Sequence, residues 1–174
     1  MTGSRACGGK ECVYEWHGDD LPAHGCMVEH AVADWFASIC ANELLAMGML
    51  SARCFNRFCD RIAGQVAAKL VAVAAGEASP GTEVVPVASA DVDGVPMFEF
   101  RWTFETSLLN GRGRKVLVRH YDAEPNDRSG VIFGLLIHRK DVSGSDGEVK
   151  AKQNEQIRRA IAICRERVAG GWSC

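Results

Sequence analysis

The sequence predicts a small α+β domain with two N-terminal helices, an antiparallel sheet of three or four strands, and a C-terminal helix. The helices are expected on one face of the sheet. Apolar residues recur at helical spacing in two stretches before residue 76 and in one stretch after residue 145. Between them, apolar and polar residues alternate as they do in strands. The 174 residues fit one domain, assigned to 28–174. Residues 1–27 lack apolar periodicity and are expected to form an irregular extension.

Both N-terminal helices are predicted from a stripe of apolar side chains. The first begins near Val28 and ends, or is interrupted, at Gly48. The second begins at Phe55 and ends at Gly76, because glycine is a natural C-cap and Ser79-Pro80-Gly81 prevents continuation. The stripe of the second helix consists of Phe55, Phe58, Ile62, Val66, Leu70 and Val73.

The strands are predicted from alternation and from turn residues. The stretch 84–87 contains a proline, which suits an edge strand. Met97 to Phe104 places four aromatic side chains on one face, and Arg114 to Tyr121 follows as a second long strand. Val131 to Arg139 is almost entirely apolar, which is typical of a central strand buried on both faces. Turns are predicted at Asp93-Gly94 and Asn110-Gly111.

A capping box predicts where the last helix begins. Ser145 and Glu148 have the spacing at which each side chain caps the other residue's backbone N–H. Gly170 and Gly171 end the helix. Its basic side is expected to be a solvated face, although it could also help to bind RNA phosphates. The cations of that side are Lys150, Lys152, Arg158, Arg159, Arg165 and Arg167.

Charge is distributed unevenly along the chain. The net charge is −2, but the stretch from Arg101 to Lys140 holds eight basic and four acidic residues, which leaves about −6 for the rest. A local positive field can attract polyanions even when the whole protein is slightly acidic. No stretch approaches the ~18 apolar residues that a membrane span needs. The N-terminus has no apolar segment typical of a secretion signal, so a cytoplasmic location and no membrane association are predicted.

The eight cysteines are expected to be mostly free thiols that pack as small apolar groups in a reducing cytosol. Six residues of zinc-ligand type lie in the first 30 positions, but no CxxC or HxxxH pair occurs among them. A structural metal site is therefore only an alternative to cysteines that occur there by chance. Neither a metal nor a cofactor is assigned. The weak candidates are Cys7, Cys12, His17, His24, Cys26 and His30.

The order of the elements and the sequences of three strands point to a known family. A long second helix precedes the strand Met97-Phe-Glu-Phe-Arg-Trp102 and the basic strand Arg114-Lys-Val-Leu-Val-Arg119. An apolar strand then runs into His138-Arg139-Lys140, and a short polar linker leads to the last helix. In this order and spacing, residues 28–168 resemble the RelE/ParE superfamily of toxins from toxin–antitoxin systems, in particular its HigB-like branch.

The resemblance implies a RelE-like fold and a toxin that inhibits translation as an mRNA endoribonuclease, either free or on the ribosome. It also implies a cognate antitoxin protein as partner. The chain departs from the family in its slightly acidic charge and in having no Tyr or His after His138. These departures favour a second hypothesis, a non-catalytic binding module or a gyrase-directed ParE-like toxin on the same fold. A zinc-stabilised accessory protein of a phage or mobile element is a third hypothesis, which rests on the N-terminal Cys and His residues alone.

The predicted sheet offers side chains suited to RNA cleavage without a metal. This chemistry needs a base near the 2′-OH, a cation at the phosphate and an acid at the leaving 5′ oxygen. Alternation puts Glu99 and Arg101 on the face opposite the aromatic residues, and puts Arg119 and Tyr121 of the next strand on that same face, which is expected to be open. Glu99 or His138 is the candidate base, and Tyr121 or His138 the candidate acid. The predicted catalytic residues are Glu99, Arg101, Arg119, Tyr121 and His138.

Three further cations are predicted to bind RNA. Lys115 shares the face of Arg119, whereas alternation allows only one of Arg139 and Lys140 to face the groove. His120 falls on the apolar face and is expected to be a partly buried histidine. Exposed sheet faces commonly carry paired Arg, Lys and Glu, so ordinary cross-strand pairing is the alternative to a functional surface.

Overall fold

A computed structural model describes residues 3–18, 28–87, 94–110 and 114–172, together with the backbone of 25–26. The described residues confirm the α+β class and form three α-helices and six strands. The helices are α1 (Glu29–Ala46), α2 (Phe55–Ala74) and α3 (Asp146–Ala169). The strands are β1 (Val13–Trp16), β2 (Gly25–Cys26), β3 (Val84–Pro86), β4 (Met97–Glu105), β5 (Lys115–Ala123) and β6 (Val131–Arg139).

The sheet is larger than predicted and is mixed. Its order is β2-β1-β6-β5-β4-β3. The meander from β3 to β6 is antiparallel as expected, but β1 pairs with β6 in parallel. The proline-containing β3 lies at one edge, and β6 lies between β1 and β5, so both of these predictions are confirmed. The predicted turns at Asp93-Gly94 and Asn110-Gly111 fall partly outside the described residues.

The prediction of an irregular N-terminal extension was wrong for the described residues 3–18, which include β1. Tyr14 and Trp16 of β1 are almost completely buried, whereas Val13 is 45% exposed. This alternation spans only four residues, among Gly, Cys, His and acidic neighbours, so periodicity along the chain does not reveal it. The burial of two large aromatic side chains holds β1 against β6.

Hydrogen bonds also hold the segment before β1. Glu124 accepts hydrogen bonds from the Ser4 hydroxyl at 2.5 Å and from the Arg5 backbone N–H at 2.8 Å. The Arg5 guanidinium donates to the carbonyls of Pro125, Arg128 and Val131 at 2.7–3.1 Å. Hydrogen bonds therefore fix the N-terminal residues to the loop between β5 and β6.

Helices cover both faces of the sheet, although the sequence predicted them on one face. The helices α1 and α2 pack on the face that carries Phe98, Phe100 and Trp102, and this layer forms the larger core. The second core lies on the opposite face, where Ile163 and Cys164 of α3 pack against the sheet. Its sheet side chains are Met97, Tyr121, Ala123, Phe133, Leu135 and Leu136. The resulting architecture is a three-layer α/β/α arrangement.

The helix boundaries follow the predicted signals closely. The stripe of α2 is buried from Phe58 to Val73, and a positive φ of 73° at Gly76 follows the end of the helix. The capping box of α3 is present, with the Ser145 backbone N–H donating to the Glu148 carboxylate at 2.7 Å. The helix ends at Ala169, beside the two predicted terminal glycines.

A polar group lies in the larger core beneath α1 and α2. His120 lies on the predicted apolar face but is fully buried rather than partly buried, and its Nε2 lies 3.0 Å from the Tyr14 hydroxyl. Burial lowers the pKa of His120 to about 3, so the ring is neutral. Asp122, two residues further along β5, is also fully buried. Neither of its carboxyl oxygens forms a well-aligned hydrogen bond with a described residue.

Asp122→Asn is expected to make the protein more stable at pH 7. Burial raises the pKa of Asp122 well above its ordinary value, and the nearby Glu124 carboxyl raises it further. A raised folded-state pKa gives stability that is complete below the unfolded pKa of about 3.9 and is lost as pH rises through the folded value. The amide of the Asp122→Asn variant does not ionise, so the variant does not lose stability as the pH rises. We therefore expect its free energy of unfolding at pH 7 to be about 1–3 kcal/mol higher than that of the wild type.

Urea denaturation of the wild type and Asp122→Asn between pH 4 and pH 8 measures this effect. The difference in free energy of unfolding should shrink as the pH falls toward 4. Asp127→Asn removes the same charge from an exposed loop position and is the matched control. A difference that stays constant with pH contradicts the assignment.

Candidate functional site

The register of β4 and β5 brings the predicted site residues together. Glu99 pairs with Tyr121, Arg101 with Arg119, and Glu105 with Lys115. Residues that pair directly across antiparallel strands share a face. The predicted grouping of these side chains on one face is therefore confirmed.

Glu99 is the centre of an ion-pair cluster. Its Oε1 lies 2.8 Å from Arg119 Nε, and its Oε2 lies 3.0 Å from an Arg101 terminal nitrogen. The Glu99 side chain is only 5% exposed, compared with 12% for Arg119 and 42% for Arg101. Two cations thus share one buried carboxylate, and Arg101 is the more accessible of the two.

The face that holds this cluster is covered in part by α3, whereas the sequence predicted an open surface. Gln153 of α3 donates a hydrogen bond to Glu99 Oε1 at 3.4 Å. Alternation indicates the side of a sheet to which a residue points, but it carries no information on what packs over that side. A signal was present in the apolar stripe of the last helix, which needs a second apolar surface to cover it.

Tyr121 does not fit the role of an accessible acid. Its side chain is fully buried, and its hydroxyl has no hydrogen-bond partner among the described residues. Its ring stacks on that of His138, with the two planes 13° apart and the centroids 6.0 Å apart. Burial raises the pKa of Tyr121, and the nearby Glu99 carboxylate raises it further. In this arrangement the phenol is a packing residue beneath α3.

The imidazole of His138 is neutral, and its Nε2 can accept a proton. Its Nδ1 lies 3.0 Å from the Arg139 carbonyl oxygen, which can only accept, so Nδ1 carries the proton. Nε2 therefore carries the lone pair, and this buried nitrogen has no partner in the described part of the chain. Burial lowers the pKa of His138, the Arg139 carbonyl opposes this shift, and the Arg119 charge adds to it. The ring is neutral near pH 7.

The structure resolves which of Arg139 and Lys140 faces the cluster. Arg139 points to α1, where its Nε lies 3.0 Å from a Glu43 carboxylate oxygen. Lys140 lies on the side of the cluster, and its backbone N–H donates to the Leu117 carbonyl. Its pKa is lowered by burial and then by the positive charge of Arg119. Lys140 is therefore the third cation of the cluster, and Arg139 is not part of it.

His138 lies between two small cavities. One, of about 130 Å³, is bounded by Lys140, Lys152 and Gln153 under the first turns of α3. The other, of about 160 Å³, lies between α1 and α3 and has an apolar wall that includes Trp35 and Phe36. Lys152, which forms an ion pair with Asp141 at 2.6 Å, was predicted only as part of a solvated helix face. The α3 side chains are thus the part of the site that sequence reasoning missed.

The N-terminal metal candidates are spread apart. Cys7 and Cys12 pack against the larger core, His17 is buried against Phe133, and His30 is exposed on α1. His24 and the Cys26 side chain lie outside the described residues. Within the described residues, no group of three or more His, Cys, Asp or Glu side chains is placed to hold a metal ion.

Comparison with known proteins does not place the chain in a family, because no family model, curated protein or solved structure matches it. The resemblance to the RelE/ParE superfamily thus stays a prediction from the sequence. No helix in the described part of the chain is long and apolar enough to cross a membrane.

Proposed function

We propose that this chain is a RelE/HigB-like toxin that cleaves mRNA without a metal and is neutralised by an antitoxin. The main support is the neutral His138. Its Nε2, which has no partner among the described residues, lies beside the cations that surround Glu99. A neutral imidazole can take a proton at physiological pH, and cations can stabilise the charge that develops on a phosphate.

The proposed reaction assigns each group one role. His138 Nε2 takes the proton of the 2′-OH, and the O2′ atom attacks the phosphorus atom. Arg101 and Arg119 stabilise the phosphate oxygens, and the bond to the 5′ oxygen breaks to leave a 2′,3′-cyclic phosphate. The Lys140 ammonium gives the leaving oxygen its proton, in place of the buried Tyr121. Protons and electrons balance without a co-reactant.

Access to His138 requires the first half of α3 to move away from the sheet. The buried residues of α3 are Ala160, Ile163 and Cys164, all in its second half. The first half is held by polar contacts such as the Gln153 hydrogen bond to Glu99. Segments with few buried apolar contacts open at low free-energy cost. The closed arrangement is then a resting state that RNA must open.

Two observations favour a second candidate function, a binding module that holds its partner without cleaving it. Glu99 neutralises part of the charge of Arg101 and Arg119, and the Tyr121 hydroxyl is buried. A gyrase-directed or adaptor role on this fold needs the surface but not the proton transfers.

Induced expression without a partner, followed by RNA mapping, tests the first function. We expect growth arrest with mRNA cleavage, which Arg101→Ala or Arg119→Ala abolishes. In purified protein, His138→Gln should reduce the cleavage rate by about 10²–10⁴-fold, the usual contribution of a general base, while leaving RNA affinity within about threefold. The rate should fall on the acidic side as His138 is protonated, with an apparent pKa below the ordinary histidine value, and on the alkaline side as the Lys140 ammonium loses its proton.

His30→Gln changes an exposed histidine on α1 and is the matched control, with no expected effect. RNA that is bound but left intact favours the binding module. Harmless expression with intact RNA contradicts the nuclease function.

A further inference from the structure

A second basic site lies at the end of the sheet, at the opposite end of the β4–β5 pair from Tyr121. A cavity of about 400 Å³ there is lined by Arg61 of α2 and by Arg114 and Lys115 at the start of β5. The hydroxyl residues Thr106 and Ser107, which follow β4, line the same cavity. Among the described residues, the one other that lines it is Glu105. Three cations and two hydroxyl groups thus surround one open cavity.

The cations of this cavity are not neutralised by an equal number of carboxylates. Glu105 lies 3.2 Å from Lys115 Nζ, and both side chains are mostly exposed. Arg61 donates to the backbone carbonyl of Glu105 at 3.2 Å, which orients the guanidinium without cancelling its charge. Neither Arg61 nor Arg114 forms an ion pair with a described carboxylate. The cavity therefore keeps a net excess of positive charge.

The positive surface continues beyond the cavity along α2. Arg57 lies one turn before Arg61 and is exposed, and Arg53 is exposed in the short 3₁₀ turn (Ala52–Cys54) just before the helix. Residues four apart on a helix lie on the same side, so Arg57 and Arg61 form a basic ridge that leads into the cavity. A single small anion would not need such a ridge, whereas a chain of phosphates would use it.

We propose that the Arg61–Arg114–Lys115 cavity binds a phosphate group of a single-stranded nucleic acid. Arginine and lysine supply the charge, and the Thr106 and Ser107 hydroxyls can donate to phosphate oxygens. Lys115 and Arg119 are four residues apart on β5, or ~13 Å at the usual rise of a strand. One flexible strand can therefore reach this cavity and the Glu99 cluster together. Binding at this cavity does not require that the chain cleave RNA.

Phosphate binding is tested first with inorganic phosphate, followed by amide NMR shifts of the full chain. Thr106, Ser107, Arg114 and Lys115 should shift in a saturable way with phosphate and not with chloride at equal ionic strength. Equal shifts with both salts, or none at these amides, overturn the site. Because cleavage is not measured, loss of the proposed function leaves this test unaffected.

Fluorescence anisotropy with a short labelled single-stranded RNA then identifies the source of the phosphate. Arg61→Gln with Arg114→Gln should weaken binding at least tenfold and lower the slope of log affinity against log salt by about 0.7, the contribution of one single-strand phosphate contact. The control pair Arg158→Gln with Arg165→Gln removes the same charge from the exposed side of α3.

If both double variants weaken RNA binding equally, the proposal is overturned, because the RNA is then attracted by the overall positive charge rather than by this cavity. Saturable shifts with phosphate but no response of RNA affinity to either pair overturn the nucleic-acid assignment, and assign the cavity to a small phosphorylated ligand.

Discussion

Gly134→Ala is expected to lower the free energy of unfolding by about 3 kcal/mol, at the upper end of the usual cost of overpacking. A Cβ atom at this position would lie 2.1 Å from the Tyr14 hydroxyl oxygen and 2.9 Å from Trp16 Cε3. Both aromatic side chains are 1% exposed, so neither can move aside into solvent. Gly134 pairs with Trp16 at the end of the parallel β1–β6 contact. The variant should therefore loosen β1 from the sheet.

A double-mutant cycle with Tyr14→Ala separates steric overlap from other effects. Tyr14→Ala alone should destabilise the protein, by about 3–5 kcal/mol as for other large aromatic truncations. In that background Gly134→Ala should cost less than half of its cost in the wild type, because the closest atom is gone. Gly64→Ala, an open position inside α2, is the control and should raise stability by about 0.5–1 kcal/mol. Full additivity in urea denaturation contradicts the steric explanation.

The need for glycine at position 134 also illustrates why β1 could not be predicted. The partners of Tyr14 and Trp16 lie more than one hundred residues away in β6, so no local pattern records the parallel contact. In β6 itself, Leu135 is the extra residue of a bulge between the pairs Tyr121–Leu136 and Asp122–Gly134. By contrast, the stripe of α2 and the alternation of β4 are local signals, and both predicted the correct elements.

The strand register at the site could be predicted from the sequence, but the burial of its side chains could not. Alternation alone placed Arg101 beside Arg119 across β4 and β5, because a strand has a fixed period of two. The burial of Tyr121 depends on where α3 docks, and docking is decided by the apolar residues of both surfaces together. The same docking brings Gln153 to Glu99, a contact that no spacing in the sequence encodes.

Glu99→Gln is expected to lower the free energy of unfolding by about 3 kcal/mol, the usual lower range for removing one partner of a buried ion pair. The amide keeps the shape of the side chain but leaves Arg119, whose side chain is 12% exposed, without its carboxylate. Arg101→Ala should cost about 1 kcal/mol or less, because its side chain is 42% exposed and its ion pair with Glu99 is solvated. Urea denaturation of both variants measures this difference.

The Glu99→Gln variant also shows whether the ion-pair cluster only stabilises the fold or is part of an anion-binding site. Removing the carboxylate raises the positive field of Arg101, Arg119 and Lys140, so folded Glu99→Gln should bind single-stranded RNA more tightly at low salt. Glu43→Gln removes the carboxylate partner of Arg139 on the α1 side, away from the cluster, and is the control for RNA affinity, which it should leave unchanged. Lower stability with unchanged RNA affinity would assign Glu99 to the fold alone. Equal effects of Glu99→Gln and Glu43→Gln would contradict the central place of Glu99, because only its carboxylate is buried between two arginines.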